Sequence, residues 1–187
     1  MKLLREILYK VEINSVVGNT SLSINKIEFD SRLISDGDMY VAITGVNVDG
    51  HNFISQAIKN GANCIICEKI PNNKTEGVVY VSVKSSRKAL AIMSSNYFDN
   101  PSSKLNLIGV TGTNGKTTIA TLLFDLYTSL DIKSGLISTV KISYGDKNFK
   151  ANQTTPDSIS INKLLHEMIG LNVRYCFMEV SSHGIDQ

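Results

Sequence analysis

The stretch LNLIGVTGTNGKTTIATLLFDLYTSL, residues 105–130, constrains the fold more than any other part of the chain. An apolar run suited to a buried parallel strand enters a glycine-rich turn, and the turn enters an amphipathic helix. Ile119, Leu122, Leu123, Leu126 and Leu130 recur at i, i+3, i+4, i+7 and i+11, so they are expected to be the buried face of that helix. Strand, turn and helix in this order are also what a phosphate needs. The first N–H groups of a helix lack partners, and its dipole favours an anion there. Gly112 and Gly115 let the backbone bend closely, Lys116 can reach β- and γ-phosphates, and the Thr117 hydroxyl can ligate Mg²⁺. The general phosphate-loop pattern places a glycine where Val110 stands; here the glycines fall at 109, 112 and 115. A plain glycine-rich turn with a helix cap is the competing reading.

The remainder alternates in the same way. A short helix is expected around Leu3–Leu8, a strand over SINKIEFDSR, another over DMYVAITG, and a helix over NFISQAIKNGA that Gly61 stops. NCIICE and VVYVSV read as strands separated by a polar turn, and SSRKALAIMSSNYF as a helix. The polar segment DNPSSK, residues 99–104, reads as a linker between a domain at 1–98 and a second at 105–187. Beyond the phosphate loop, GLISTVKISYG reads as strand, SINKLLHEMIGL as helix and RYCFMEVSS as strand. Strands alternating with helices in both parts give an α/β fold class, the second with a mainly parallel sheet.

Composition narrows the function. The 187 residues carry a net charge of only +2, which leaves no broad basic field for nucleic acid or an anionic membrane. No apolar run approaches a membrane span, and MKLLREILYK has no signal-peptide core. Three cysteines argue against a disulfide framework, and a cytoplasmic location is expected. Cys64 and Cys67 form a C-x-x-C that could suggest redox or zinc chemistry, but they sit inside an apolar run that reads as a buried strand.

Four separated segments resemble one family, the Mur ligases, ATP-dependent amide-forming enzymes of peptidoglycan synthesis. VTGTNGKTT resembles its ATP loop, including the shorter glycine spacing. QTTPD, residues 153–157, resembles its Thr-Thr-Pro substrate loop, and MEVSSHGIDQ, residues 178–187, its Glu-Val-Ser-Ser-His segment. FDSRLISDGDMYVAITGVNVDGHNFISQAIKNGA resembles the UDP-sugar-binding N-terminal domain of the branch that adds the third peptide residue. The branch that adds D-Ala-D-Ala has a similar N-terminal domain but usually carries Ser where Thr113 stands. Family members are longer. The resemblance therefore implies a fragment, without the carbamylated lysine or the C-terminal amino-acid-binding domain, and inactive alone.

The resemblance implies a role for each matching residue. Gly112, Thr113, Asn114, Gly115, Lys116, Thr117 and Thr118 would bind ATP, and Thr117 and Glu179 would hold Mg²⁺. Lys116, Glu179 and His183 would be catalytic. Phe29, Ser31, Val46, Asn47, Val48, Gln153, Thr154, Thr155, Ser181 and Gln187 would contact UDP-N-acetylmuramoyl-L-Ala-D-Glu. The other partner would be an amino acid, diaminopimelate or lysine. On chemistry alone, Glu179 can be an exposed strand-end carboxylate, and TTPD can be a turn with Thr155 as N-cap and Pro156 opening a helix. Asp30 and Arg32 read as structural residues that pair with each other or with neighbours, and His51 and His166 as surface or packing residues.

Two other function classes compete with the ligase. A non-catalytic module would bind UDP-sugar and ATP only. An unrelated P-loop kinase or GTPase would need base-recognition or switch motifs, which are not found after the loop. An unfinished parallel sheet is also expected to leave LNLIGV and YCFMEV uncovered, whereas 1–98 should bury its own core.

Overall fold

The computed structural model describes residues 1–45, 48–151, 154–182 and 184. Its contacts divide the chain into two units, Met1–Tyr97 and Phe98–Gln187.

In the first unit, β1 (Lys2–Leu3) leads into the one-turn helix α1 (Leu4–Ile7), followed by β2 (Ile13–Val17). The stretch expected as one strand is two, β3 (Ser23–Ile24) and β4 (Ile27–Glu28). β3 pairs with β1, while β4 joins the main sheet. Between them the Asn25 N–H donates to the Gly37 carbonyl at 3.0 Å and its side chain donates to the Asp36 carbonyl at 2.7 Å, which turns the chain aside. β5 (Met39–Val41), α2 (Ile54–Lys59), β6 (Cys64–Cys67), β7 (Val79–Val83) and α3 (Ser86–Tyr97) complete the unit.

The main sheet runs β2-β7-β6-β5-β4, with β2 antiparallel at one edge and the other four parallel. Every residue of β5, β6 and β7 is buried, as expected of apolar runs in a sheet covered on both faces. Tyr40, Ile65 and Tyr80 pack with Ile54 and Ala57 of α2. Asn96 of α3 donates to the carbonyls of Ile7 at 2.9 Å and Tyr9 at 2.6 Å, which satisfies groups that the end of α1 leaves free. The pattern reading overlooked β2, whose five residues are all exposed and show no alternation.

In the second unit, β8 (Asn106–Val110) feeds α4 (Lys116–Ser129), and β9 (Ser134–Ile137), β10 (Lys141–Tyr144) and β11 (Lys147–Lys150) follow. Helix α5 (Ser158–Gly170) and β12 (Tyr175–Glu179) come last. The order is β11-β10-β9-β12-β8; β9, β12 and β8 are parallel, and β10 and β11 add an antiparallel hairpin. Pro101–Ser103, within the stretch expected as linker, forms a 3₁₀ turn beside α5 with Pro101 buried.

Three expectations change here. GLISTVKISYG is not one strand, because it reverses at Ser138. The Ser138 hydroxyl donates to the Lys141 carbonyl at 2.9 Å and accepts from the N–H groups of Val140 and Lys141. YCFMEV is not uncovered: β12 lies inside the sheet between β9 and β8, with Cys176 facing α5 and Phe177 facing α4, and of the three parallel strands only β8 lies at an edge. The third concerns α4. Ala120, Leu123, Phe124 and Tyr127 pack on Leu136 and Phe177, and Tyr127 meets Phe177 edge-on with centroids 5.1 Å apart. Ile119, Leu122, Leu126 and Leu130 are 50–62% exposed instead of buried. The helix has apolar residues on two faces, and the sheet takes the one carrying the small Ala120 and the aromatic rings.

Candidate functional site

β8, β12 and β9 run parallel side by side, so their C-terminal ends open on one edge, where such sheets gather ligand-binding groups. β8 delivers the glycine loop, β12 delivers Glu179, and β9 delivers Ser138 and Thr139. Register fixes the neighbours: Glu179 lies opposite Val110, and the Val180 N–H donates to the Val110 carbonyl at 2.9 Å.

Gly112 and Gly115 have φ of 148° and 79°, backbone that residues with a Cβ rarely adopt. Gly115 is the N-cap of α4 and no side chain caps the helix. The first-turn N–H groups therefore face the loop, the arrangement that receives an anion. Lys116 folds back over the loop, with Nζ donating to the Gly112 carbonyl at 2.7 Å and the Thr113 carbonyl at 3.4 Å. Thr113, Asn114 and Thr118 are exposed around it.

Glu179 is not an exposed strand-end carboxylate; it is 1% exposed. Its Oε2 accepts from the Thr117 hydroxyl at 3.0 Å and the Thr139 hydroxyl at 2.9 Å, and its Oε1 accepts from the Thr139 N–H at 3.0 Å. A buried carboxylate must be paired or hydrogen-bonded, and these donors meet that need. Three oxygens converge beside a phosphate-ready helix start. An oxygen-only set with few protein ligands fits Mg²⁺, which keeps its remaining positions for water and phosphate. Thr139 was missed in the sequence. The available signal was its place just past the strand that follows α4, in a sheet whose strand ends gather at one edge.

Thr155 does not cap a helix. Asp157 is the N-cap of α5, accepting from the Ser160 N–H at 3.0 Å, because a carboxylate stands at the position that faces those donors. Thr155 Oγ1 is free to accept from the Ser181 N–H at 3.1 Å, and it lies 3.3 Å from both the Ser181 hydroxyl and the Glu179 carbonyl. Thr155, Ser181 and Glu179 are thus brought together, with Thr154 half-buried beside them. Gly184 permits this approach, since a Cβ there would lie 2.6 Å from Thr155 Cβ. Gln153, His183 and Gln187 lie outside the described residues, as do Val46 and Asn47.

In the first unit, parallel β4, β5 and β6 likewise open on one edge. β4 leads to Phe29, which is partly exposed, and to Ser31, which is buried and starts a 3₁₀ turn. Asp30 caps that turn and binds Arg32 at 2.7 Å, so the two pair with each other. β5 leads to a tight loop closed where the Gly45 N–H donates to the Val48 carbonyl at 3.0 Å, with Val48 57% exposed. Burial pushes the Tyr40 hydroxyl up to about 12, and the carboxylates of Asp30 and Asp49 add to the shift. His166 is a packing residue: its Nδ1 is 3.1 Å from the Phe98 carbonyl and its ring lies tilted on that of Phe98. Cys64 and Cys67 are buried strand residues, and burial pushes the Cys67 thiol up to about 11 and Cys64 higher still. No helix among the described residues is long and apolar enough to cross a membrane.

Comparison with known proteins agrees with this geometry. Residues 23–98 match the Mur ligase family, catalytic domain, and residues 110–187 match the Mur ligase middle domain. The UDP-N-acetylmuramoyl-L-alanyl-D-glutamate–2,6-diaminopimelate ligase of Cytophaga hutchinsonii is 47% identical over 185 residues, 98% of this chain and 38% of that protein. A solved structure of a ligase of the same name covers 100% of this chain and 37% of its own, with a TM-score of 0.78 at 23% identity. MurF ligase from Thermotoga maritima, solved in complex with ADP, covers 84% of this chain and 32% of its own, with a TM-score of 0.58 at 23% identity. The chain thus spans about two fifths of the length of the relatives it matches. Two matches to one family, in order along the chain and on a fold shared with its solved members, mean that the chain belongs to the Mur ligase family.

Proposed function

We propose that the chain is the N-terminal and phosphate-binding part of an ATP-dependent ligase that adds 2,6-diaminopimelate to UDP-N-acetylmuramoyl-L-Ala-D-Glu. One observation carries the reading: Thr117, Thr139 and buried Glu179 converge next to an uncapped helix start that already holds Lys116. A carboxylate does not accept an amine unaided. ATP first phosphorylates the D-Glu γ-carboxylate to an acyl phosphate, and the amine then displaces phosphate. Two anions must approach, so the site needs cations and fixed N–H groups. The α4 N–H groups and Lys116 stabilise charge on the transferring phosphoryl group. Mg²⁺ supplies charge neutralisation when bound, and Thr117, Glu179 and Thr139 are the residues that would hold it. Thr154, Thr155 and Ser181 present hydroxyls that orient the peptide end of the substrate without adding charge. Ser31, Phe29 and the loop through Val48 receive the uridine end. The compartment is the cytoplasm.

The choice of diaminopimelate over lysine, and over the D-Ala-D-Ala branch, is supported by the 47% identical relative, which is named a 2,6-diaminopimelate ligase. On its own, the 187-residue chain is proposed to bind both nucleotides without joining an amino acid. The test is a ligation assay on the full-length protein with UDP-N-acetylmuramoyl-L-Ala-D-Glu, ATP, Mg²⁺ and a panel of amino acids. Diaminopimelate-dependent ADP release is expected. Release that depends on D-Ala-D-Ala, or on no amino acid, would overturn the reading.

A further inference from the structure

His51 bridges three parts of the first unit. Its Nε2 lies 2.9 Å from the N–H of Glu68, which follows β6. That N–H can only donate, so Nε2 accepts and the ring proton sits on Nδ1. Nδ1 then donates to Asp49 Oδ1 at 2.7 Å, and the same oxygen accepts from the His51 N–H at 3.0 Å. These two bonds hold the Asp49 carboxyl below the usual carboxylate range, the backbone one most strongly. Asp49 closes the loop that begins at Thr44, with which it forms a β-bridge. On the other side, Glu68 Oε1 accepts from the Ser86 N–H at 3.1 Å, at the start of α3. His51 thus connects the loop of β5 through the end of β6 to the first turn of α3.

The two ends of this loop are held further. The Gly50 N–H donates to the Ile43 carbonyl at 2.9 Å, and the Tyr40 hydroxyl donates to the Gly50 carbonyl at 2.9 Å. A Cβ at Gly50 would lie 2.7 Å from the Ile43 nitrogen. Tyr40 and Ile43 fix the C-terminal base of the loop to its own strand. At the other side the Ala42 N–H donates to the Ile66 carbonyl at 2.8 Å and the Arg87 side chain reaches the Thr44 carbonyl at 3.5 Å, and His51 ties Asp49 to the residue that follows β6.

We propose that His51 is a positioning residue for the nucleotide-sugar site: in its neutral form, with the proton on Nδ1, it sets where Gly45, Val48 and Asp49 meet the uridine end of the substrate. The proposal rests on the reading that this loop binds a nucleotide sugar. A residue of purely structural value would change stability and leave affinity alone. A positioning residue changes affinity for one nucleotide and not for the other.

The test is calorimetric binding of UDP-N-acetylmuramoyl-L-Ala-D-Glu, and separately of ADP with Mg²⁺, to the 187-residue chain. The variants are His51→Phe, which keeps ring shape without nitrogens, and His51→Gln, whose amide retains an acceptor for the Glu68 N–H. His51→Phe is expected to weaken the UDP-substrate about tenfold, because the loop is no longer held in its binding position, with ADP affinity changed less than about twofold. His51→Gln should recover most of that loss. Unchanged UDP-substrate affinity in His51→Phe would overturn the proposal, and so would an equal loss in His51→Gln, which would make ring shape the cause. If His51→Phe does not fold, His51→Asn carries the test: it keeps the donor to Asp49 but cannot span to Glu68, and the same loss is expected. A wild-type chain that binds ADP and not the UDP-substrate sinks the nucleotide-sugar reading itself, whereas wild-type binding with an indifferent His51→Phe sinks this inference alone.

Discussion

The two units use the same α/β grammar and bury their surfaces differently. In the first, three adjacent strands, β5, β6 and β7, have no exposed residue, and most of the chain's buried apolar side chains lie there. In the second, β9 and β12 are well covered, but β8 is a partly exposed edge and α4 carries an apolar stripe on its solvent side. The first unit is stabilised by apolar burial within itself. The second relies on its parallel trio and on polar ties, such as Tyr144 and Lys147 donating to Glu167 at 2.8 and 2.9 Å. The division follows proposed function: the first unit holds a substrate on loops above a rigid sheet, and the second gathers phosphate-binding groups at strand ends.

The sharpest way to break this comparison is Lys116→Ala in the full-length protein. Turnover is expected to fall by at least about a hundredfold, the scale of removing a charge-stabilising donor, while affinity for the UDP-substrate is retained. Near-normal turnover would show that the two units do not divide the work as argued.

Stability gives the next largest contrast. Ile65→Ala, in the fully buried β6, should cost about 2–5 kcal/mol, read as a shift in chemical-denaturation midpoint. A cost below about 1 kcal/mol would mean the first unit is not held by that core.

A smaller effect is expected at the polar ties. Hydrogen bonds from Lys147, then Tyr144, hold the Glu167 carboxyl below its ordinary value. A carboxyl depressed in the folded state stabilises at pH above its unfolded pKa, and that contribution is lost as pH falls through the folded value. Acidification below about pH 4 should therefore remove less than about 1 kcal/mol from the second unit, because water screens this partly exposed pair, and Glu167→Gln should lack that part of the pH dependence. Identical melting curves against pH for the two proteins would show that the tie contributes nothing.

The smallest effect is predicted for Leu122→Ala, on the 62% exposed position of α4. It should change stability by less than about 0.5 kcal/mol. A loss of about 2 kcal/mol or more would reveal that the stripe is covered in solution, and the contrast between the units would narrow.

Much of this arrangement was legible in the residues. The glycine loop, the long helices and the buried strands follow from periodicity and from the few residue types that tolerate a tight turn; Lys116 and Thr117 stand out by chemistry and spacing, and Glu179 by the resemblance of the segment around it. β2 and β11 escaped because their residues are exposed and carry no apolar alternation. The Asp157 cap lay two residues beyond Thr155, in a segment where several polar side chains could have served.

The sequence by itself determined the glycine-rich strand-turn-helix unit, the long helices and the buried central strands, because these depend on neighbours along the chain. Only the tertiary structure decided which apolar face of α4 is buried, since both faces are chemically able and the shape of the sheet chooses between them. It also decided that Thr139 meets Glu179, 40 residues away, and that His51 links Asp49 to Glu68. Those contacts depend on strand order and register, which bring distant residues to one sheet edge and which no local pattern encodes.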